Sequence, residues 1–160
     1  MIDVIWGTAK DKPESSRLLA EQLADIDAQG QLYIGYPIMG SPLGPVKFDA
    51  LLISVELGLI AFDLVEGTDV GEYRARQDDI ASMLEVKFKP YPNLKQGRQL
   101  KFDINAITFA PAKSTLPESE DPYYISNSTN LVSQVNGFKW SSDTATFFCA
   151  SCCSASCNLN

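Results

Sequence analysis

Lys47-Phe-Asp-Ala-Leu-Leu-Ile-Ser-Val-Glu-Leu-Gly-Leu-Ile-Ala-Phe-Asp-Leu-Val-Glu66 is the stretch on which the reading of this chain turns. Two apolar, β-branched runs flank Glu56-Leu57-Gly58, a pattern that predicts a hairpin. Each run carries one acidic residue that its apolar neighbours draw toward the interior, and burying a carboxylate without a partner is costly. Asp49 near the start of the first run and Asp63 near the end of the second are brought close by antiparallel pairing. Two neighbouring carboxylates are what a hard divalent cation takes as ligands.

Working outward, Ile2 to Trp6 reads as a short strand, and Asp11-Lys-Pro-Glu-Ser-Ser16 carries capping residues ahead of a first helix. Ser15 to Ala28 is amphipathic, with Leu18, Leu19, Gln22, Leu23 and Ile26 on one side, and a strand follows at 31–37. Residues 37–45 hold three prolines and two glycines and are expected to form a loop. Beyond the hairpin, Val70 to Lys87 has helical character, Pro90-Tyr-Pro-Asn93 stops it, and Leu100 to Phe109 becomes wholly apolar as a buried strand does. Pro111 to Pro122 has the composition of a hinge, and 127–140 suggests one short helix with a turn at Asn136-Gly137.

The hairpin resembles the metal-binding hairpin of the PD-(D/E)XK nuclease superfamily, especially the nuclease-related domains that accompany helicase modules. In that pattern an Asp on one strand is followed, across a turn, by an acid, any residue and a lysine. Asp49 matches the first acid, Asp63 the second and Leu64 the free position, whereas Val65 stands where the lysine belongs. The phrases Leu32-Tyr-Ile-Gly-Tyr-Pro37 and Phe62-Asp-Leu-Val-Glu-Gly67 are similar to amino-terminal regions of bacterial superfamily I helicases. The order helix, strand, hairpin, helix, strand over roughly residues 14 to 112 is that of the superfamily's core.

The resemblance implies an α/β (α+β) fold with a restriction-endonuclease-like core, a central mixed sheet with a β-hairpin flanked by helices. It implies a nuclease-like domain over 1–112 and a hinge with an irregular tail over 113–160. Mg2+ is the implied cofactor, with Asp49 and Asp63 as ligands and Glu14 or Glu21 as the helix acid. Lys47, two residues before Asp49, is the candidate for a migrated lysine, because alternation along a strand puts both on one face. Glu85-Val-Lys87 matches the acid-x-lysine motif literally but falls in a helical pattern, where it is a decoy. Gln77, Lys87, Lys89 and Arg98 are the candidate DNA contacts. With an aliphatic side chain in the lysine position, the machinery for stabilising a developing phosphorane is incomplete. The implied function is an accessory domain of a DNA helicase system that binds or positions DNA or a partner, with hydrolysis impaired. The implied partner is a helicase motor domain in cis or in trans, and the chain is then a fragment or a stand-alone relative. A working Mg2+-dependent nuclease using Lys47 and a pure protein-interaction module are the alternatives.

Bulk properties set limits on these readings. The chain of 160 residues, 45% hydrophobic and 21% charged, is sized for one domain with a core. It contains no GxxxxGK[ST] phosphate loop. A formal charge of −7 runs against generic nucleic-acid binding, although Lys87, Lys89, Lys95, Arg98 and Lys101 fall close together. The apolar runs are too short for a membrane span and the start lacks a secretory pattern, so a cytoplasmic location without membrane partners is expected. There is no histidine, which excludes Ser-His and Cys-His mechanisms. All four cysteines, Cys149, Cys152, Cys153 and Cys157, lie in the tail, at a spacing that strains tetrahedral closure around one zinc ion.

Overall fold

The computed structural model describes residues 1–8, 11–35, 38–41, 44–47, 49–54, 56–88, 95–96, 99–100, 104–117 and 123–138, with the backbone alone at 38–41, 44–47, 87–88, 95–96 and 99–100. Among the described residues, six strands make one mixed sheet: β1 (Ile2–Trp6), β2 (Gly30–Ile34), β5 (Ala50–Ser54), β6 (Gly58–Leu64), β9 (Ile104–Phe109) and β10 (Tyr124–Ser126), lying side by side in that order. The ribbon β3 (Ile38–Ser41) with β4 (Gly44–Lys47) and the ribbon β7 (Lys95–Gln96) with β8 (Gln99–Leu100) stand apart from it. The described helices are α1 (Pro13–Ala24), α2 (Tyr73–Phe88) and α3 (Leu131–Asn136). None of the described helices is long and apolar enough to cross a membrane.

The hairpin forms where the sequence puts it. Ala50 pairs with Phe62 and Ser54 with Gly58. Gly58 takes a positive φ of 78°, a conformation that glycine adopts without steric penalty. The Ser54 hydroxyl accepts from the Glu56 and Leu57 amides at 3.3 Å and donates to Gln29 O at 2.7 Å, so the turn is also tied to the start of β2. At that start a side chain is sterically barred: a Cβ on Gly30 would lie 2.3 Å from Ile53 O.

Strand pairing is parallel for β1 with β2, β6 with β9 and β9 with β10, and antiparallel for β2 with β5 and β5 with β6. Five strands therefore end at the same edge of the sheet, where β5 begins. α2 is the crossover that the parallel β6–β9 pair requires. Alternation along the strands divides the interior. Ala50, Leu52, Ile60, Phe62, Leu64, Ile107 and Phe109 join Leu19 and Leu23 of α1 and Leu131 and Val135 of α3 in one core. Their strand neighbours Leu51, Leu59, Ala61 and Ala106, together with Ile80 and Leu84 of α2, are buried outside that cluster.

Several expectations need correction. The proline-rich stretch 37–45 contains the β3–β4 ribbon, in which Ile38 faces Lys47. Lys47 thus ends a strand of a different sheet from β5, and the shared pleat that made it a companion of Asp49 does not exist. α1 starts at Pro13, a residue pre-shaped for the first helical position, and ends at Ala24. α2 begins at Tyr73, after Gly71 at a φ of 54° has turned the chain. Leu100 belongs to β8, and the described part of the buried strand is Ile104–Phe109. The sheet and core continue past residue 112, through β10 where only a hinge and tail are expected, and through α3, which is the short helix expected within 127–140.

Candidate functional site

Asp49 stands one step beyond the Ala50–Phe62 pair, so the register brings its backbone opposite Asp63 at the edge where β6 ends. Its carbonyl accepts from Gly35 N at 3.2 Å, extending the β2–β5 pairing. The two aspartates nevertheless have separate partners. Asp49 Oδ2 accepts from the Leu64 amide at 2.9 Å and from Lys12 Nζ at 2.8 Å, the lysine just ahead of α1. Asp63, only 4% exposed, is met by Arg76 from the first turn of α2. Arg76 Nε lies 3.0 Å from Oδ1 and 2.9 Å from Oδ2, and Nη2 lies 2.8 Å from Oδ2.

Behind Asp63 the polar contacts continue inward. Thr108, its neighbour across the parallel β6–β9 pair, donates its hydroxyl to Asp63 Oδ2 at 3.0 Å. Gln77 Nε2 donates to Thr108 Oγ1 at 2.8 Å and to Tyr124 O at 2.7 Å, while Tyr124 N donates to Gln77 Oε1 at 3.3 Å. Gln77 is only 2% exposed and has little surface to offer DNA. A signal for this was present in the sequence: Tyr73, Gln77, Ile80 and Leu84 recur at helical spacing, and all four are buried.

Val65, in the lysine position of the motif, is buried and extends the ladder by donating its N–H to Phe109 O at 3.0 Å. The next residue does take a polar role. Glu66 Oε1 accepts from Ser15 N at 2.7 Å and from Ser15 Oγ at 2.6 Å, capping the amino terminus of α1 from the far end of the hairpin. Burial acts to raise the Glu66 pKa, but hydrogen bonds from the Ser15 hydroxyl and the Ser15 and Glu14 amides, aided by the charge of Lys12, outweigh it and hold the carboxyl below its ordinary value. Lys12, Ser15, Glu66, Arg76 and Thr108 were not among the sequence candidates. Each makes its contact across 13 to 51 residues of chain.

Glu14 and Glu21, the helix acids expected near a metal, are exposed and ion-paired to Arg17 on the outer side of α1. No group of three or more His, Cys, Asp or Glu side chains that could hold a metal ion occurs among the described residues. The donor chemistry at the hairpin suits Mg2+ only in kind. Asp63 presents both oxygens to a guanidinium, and Asp49 presents Oδ2 to an ammonium and an amide, so the pair as arranged does not fit a divalent cation. Lys87 lies in the last turn of α2 and its side chain is outside the described set, as are Lys89, Arg98 and the cysteine tail altogether. Comparison with protein-family models, curated proteins and solved structures finds no match for the chain.

Proposed function

We propose that this chain is a nuclease-like accessory domain of a DNA helicase system, one that binds or positions DNA without cutting it. The observation that carries the reading is the β5–β6 hairpin, which brings Asp49 and Asp63 to one edge of the sheet with Val65 buried in the lysine position. The element order α1, β2, hairpin, α2, β9 supports it, being the order the resemblance calls for in a restriction-endonuclease-like core. The loss of hydrolysis follows from the side chains. Arg76 and Lys12 neutralise the two acids, and Val65 offers no cation to a scissile phosphate. For DNA contact, five cations from Lys87 to Lys101 with no intervening acid give a −7 chain a locally basic segment.

Fluorescence anisotropy of the whole chain with labelled single-stranded and duplex DNA, across a salt series, tests this. The expected result is an affinity that falls as salt rises, is weakened by Lys87→Glu with Lys89→Glu, and is accompanied by no Mg2+-dependent cleavage. An absence of salt-sensitive binding overturns the reading in favour of a protein-interaction module. Cleavage that disappears in Asp49→Ala overturns it in favour of a working nuclease.

A further inference from the structure

The hydrogen bonds behind Asp63 run in a fixed direction. A threonine hydroxyl has one proton, and that of Thr108 goes to the carboxylate, which can only accept while ionised. Thr108 Oγ1 must therefore accept from Gln77, which turns the amide nitrogen toward β9 and leaves Oε1 to receive the Tyr124 amide. The same nitrogen also reaches Tyr124 O, so this one carboxamide holds both backbone groups of the first residue of β10. The direction of the whole chain thus follows from the Asp63 carboxylate as acceptor, and Arg76 grips that carboxylate from the other side. Arg76 is itself anchored, with Nη2 donating to Val70 O at 2.6 Å.

β10 needs such support. It has three residues and, among the described residues, lies at the edge of the sheet and buries the Ser126 hydroxyl without a hydrogen-bond partner, a cost that weakens the strand locally. We propose that Arg76 is a resident cation for the hairpin acid, and that the Arg76–Asp63 pair acts through Thr108 and Gln77 as a latch fastening β10 to the sheet. In this view the acidic site, where a divalent cation does not fit, serves to position a strand. Arg76, Thr108 and Gln77 are positioning residues, and the proposal holds whether or not the chain binds DNA.

Amide hydrogen exchange of the whole chain, read at Ile125 and Ser126 and compared with Val4 and Leu32 in β1 and β2, tests the latch. Thr108→Val keeps the shape of the side chain and the Arg76–Asp63 pair but cuts the chain of hydrogen bonds. It is expected to speed exchange in β10 about tenfold, the scale of one net hydrogen bond, and to leave β1 and β2 unchanged. Arg76→Ala is expected to act in the same direction. Arg76→Lys should not restore the wild-type rate, because an ammonium cannot hold both carboxylate oxygens and Val70 O with the geometry of a guanidinium. Millimolar Mg2+ should leave the wild-type pattern unchanged. The proposal is overturned if β10 exchange in Thr108→Val matches wild type, if all four amides accelerate together, or if Mg2+ protects β10 in a manner lost in Asp63→Asn. Should Arg76→Ala fail to fold, Thr108→Val still decides the matter.

Discussion

Arg17 and Arg76 both carry acidic partners, and their surroundings could hardly differ more. On the outer side of α1, Arg17 bridges Glu14 and Glu21 at helical spacing, with all three side chains more than half exposed. Under α2, Arg76 grips Asp63, whose side chain is 5% exposed, and the contact is backed by Thr108 and by Val70 O. The first set is nearly as well served by water, so forming it changes little. In the second, the acid has been taken out of water and depends on its partners, so breaking the pair leaves a charge stranded in the interior. The number of ion pairs is therefore a poor guide to what holds this fold, and the exposure of the acid is a better one.

The sharpest way to break the comparison is to remove each arginine. Arg76→Ala should lower the unfolding free energy by about 3 kcal/mol in urea titration, at the low end for a buried pair because the guanidinium is partly exposed. A loss below the scale of one ordinary hydrogen bond would mean that Asp63 finds water once its partner is gone.

An intermediate case is Glu66, a largely exposed acid with directed donors from the start of α1. Its carboxyl lies below the ordinary value of 4.5, so its contribution is fully present above that pH and is lost as acid protonates the folded state. Thermal unfolding in pH steps should therefore find Glu66→Gln less stable than wild type above pH 4.5, with the difference shrinking on further acidification. A difference that grows toward low pH would contradict the cap. The smallest effect belongs to Arg17→Ala, for which the urea midpoint should not move measurably at physiological salt. A clear shift there would show that the exposed triad is more than a solvated surface.

Much of the architecture was legible because it rests on local pattern. Ile2–Trp6, the hairpin around Glu56-Leu57-Gly58 and the body of α2 follow from alternation, a turn glycine and helical periodicity, all of which act over a few residues. The β3–β4 ribbon was hidden by its own prolines and glycines, which read as loop. Pro45 is tolerated in a two-stranded ribbon, whereas it would disrupt a central strand. Asp49 and Asp63 were identifiable as the acids at the hairpin's end, but not the cations they meet. Lys12 is 37 residues from Asp49 and Arg76 is 13 from Asp63, and neither spacing has a periodicity that links them. Gln77 is the instructive case: position after the hairpin suggests a DNA contact, whereas its helical spacing with Tyr73, Ile80 and Leu84 marks it as part of a buried stripe.

The sequence by itself determined that residues 47–66 fold back as a hairpin, that two acids meet at its end, and that the chain must find something to neutralise them, because a buried carboxylate tolerates no vacancy. Tertiary structure alone decided what that something is. The strand directions bring the starts of α1 and α2 to the same edge, and the choice of an ammonium for Asp49 and a guanidinium for Asp63 depends on which residues lie there. Charge pairing is a property of distance in space, and distance along the chain carries almost no information about it.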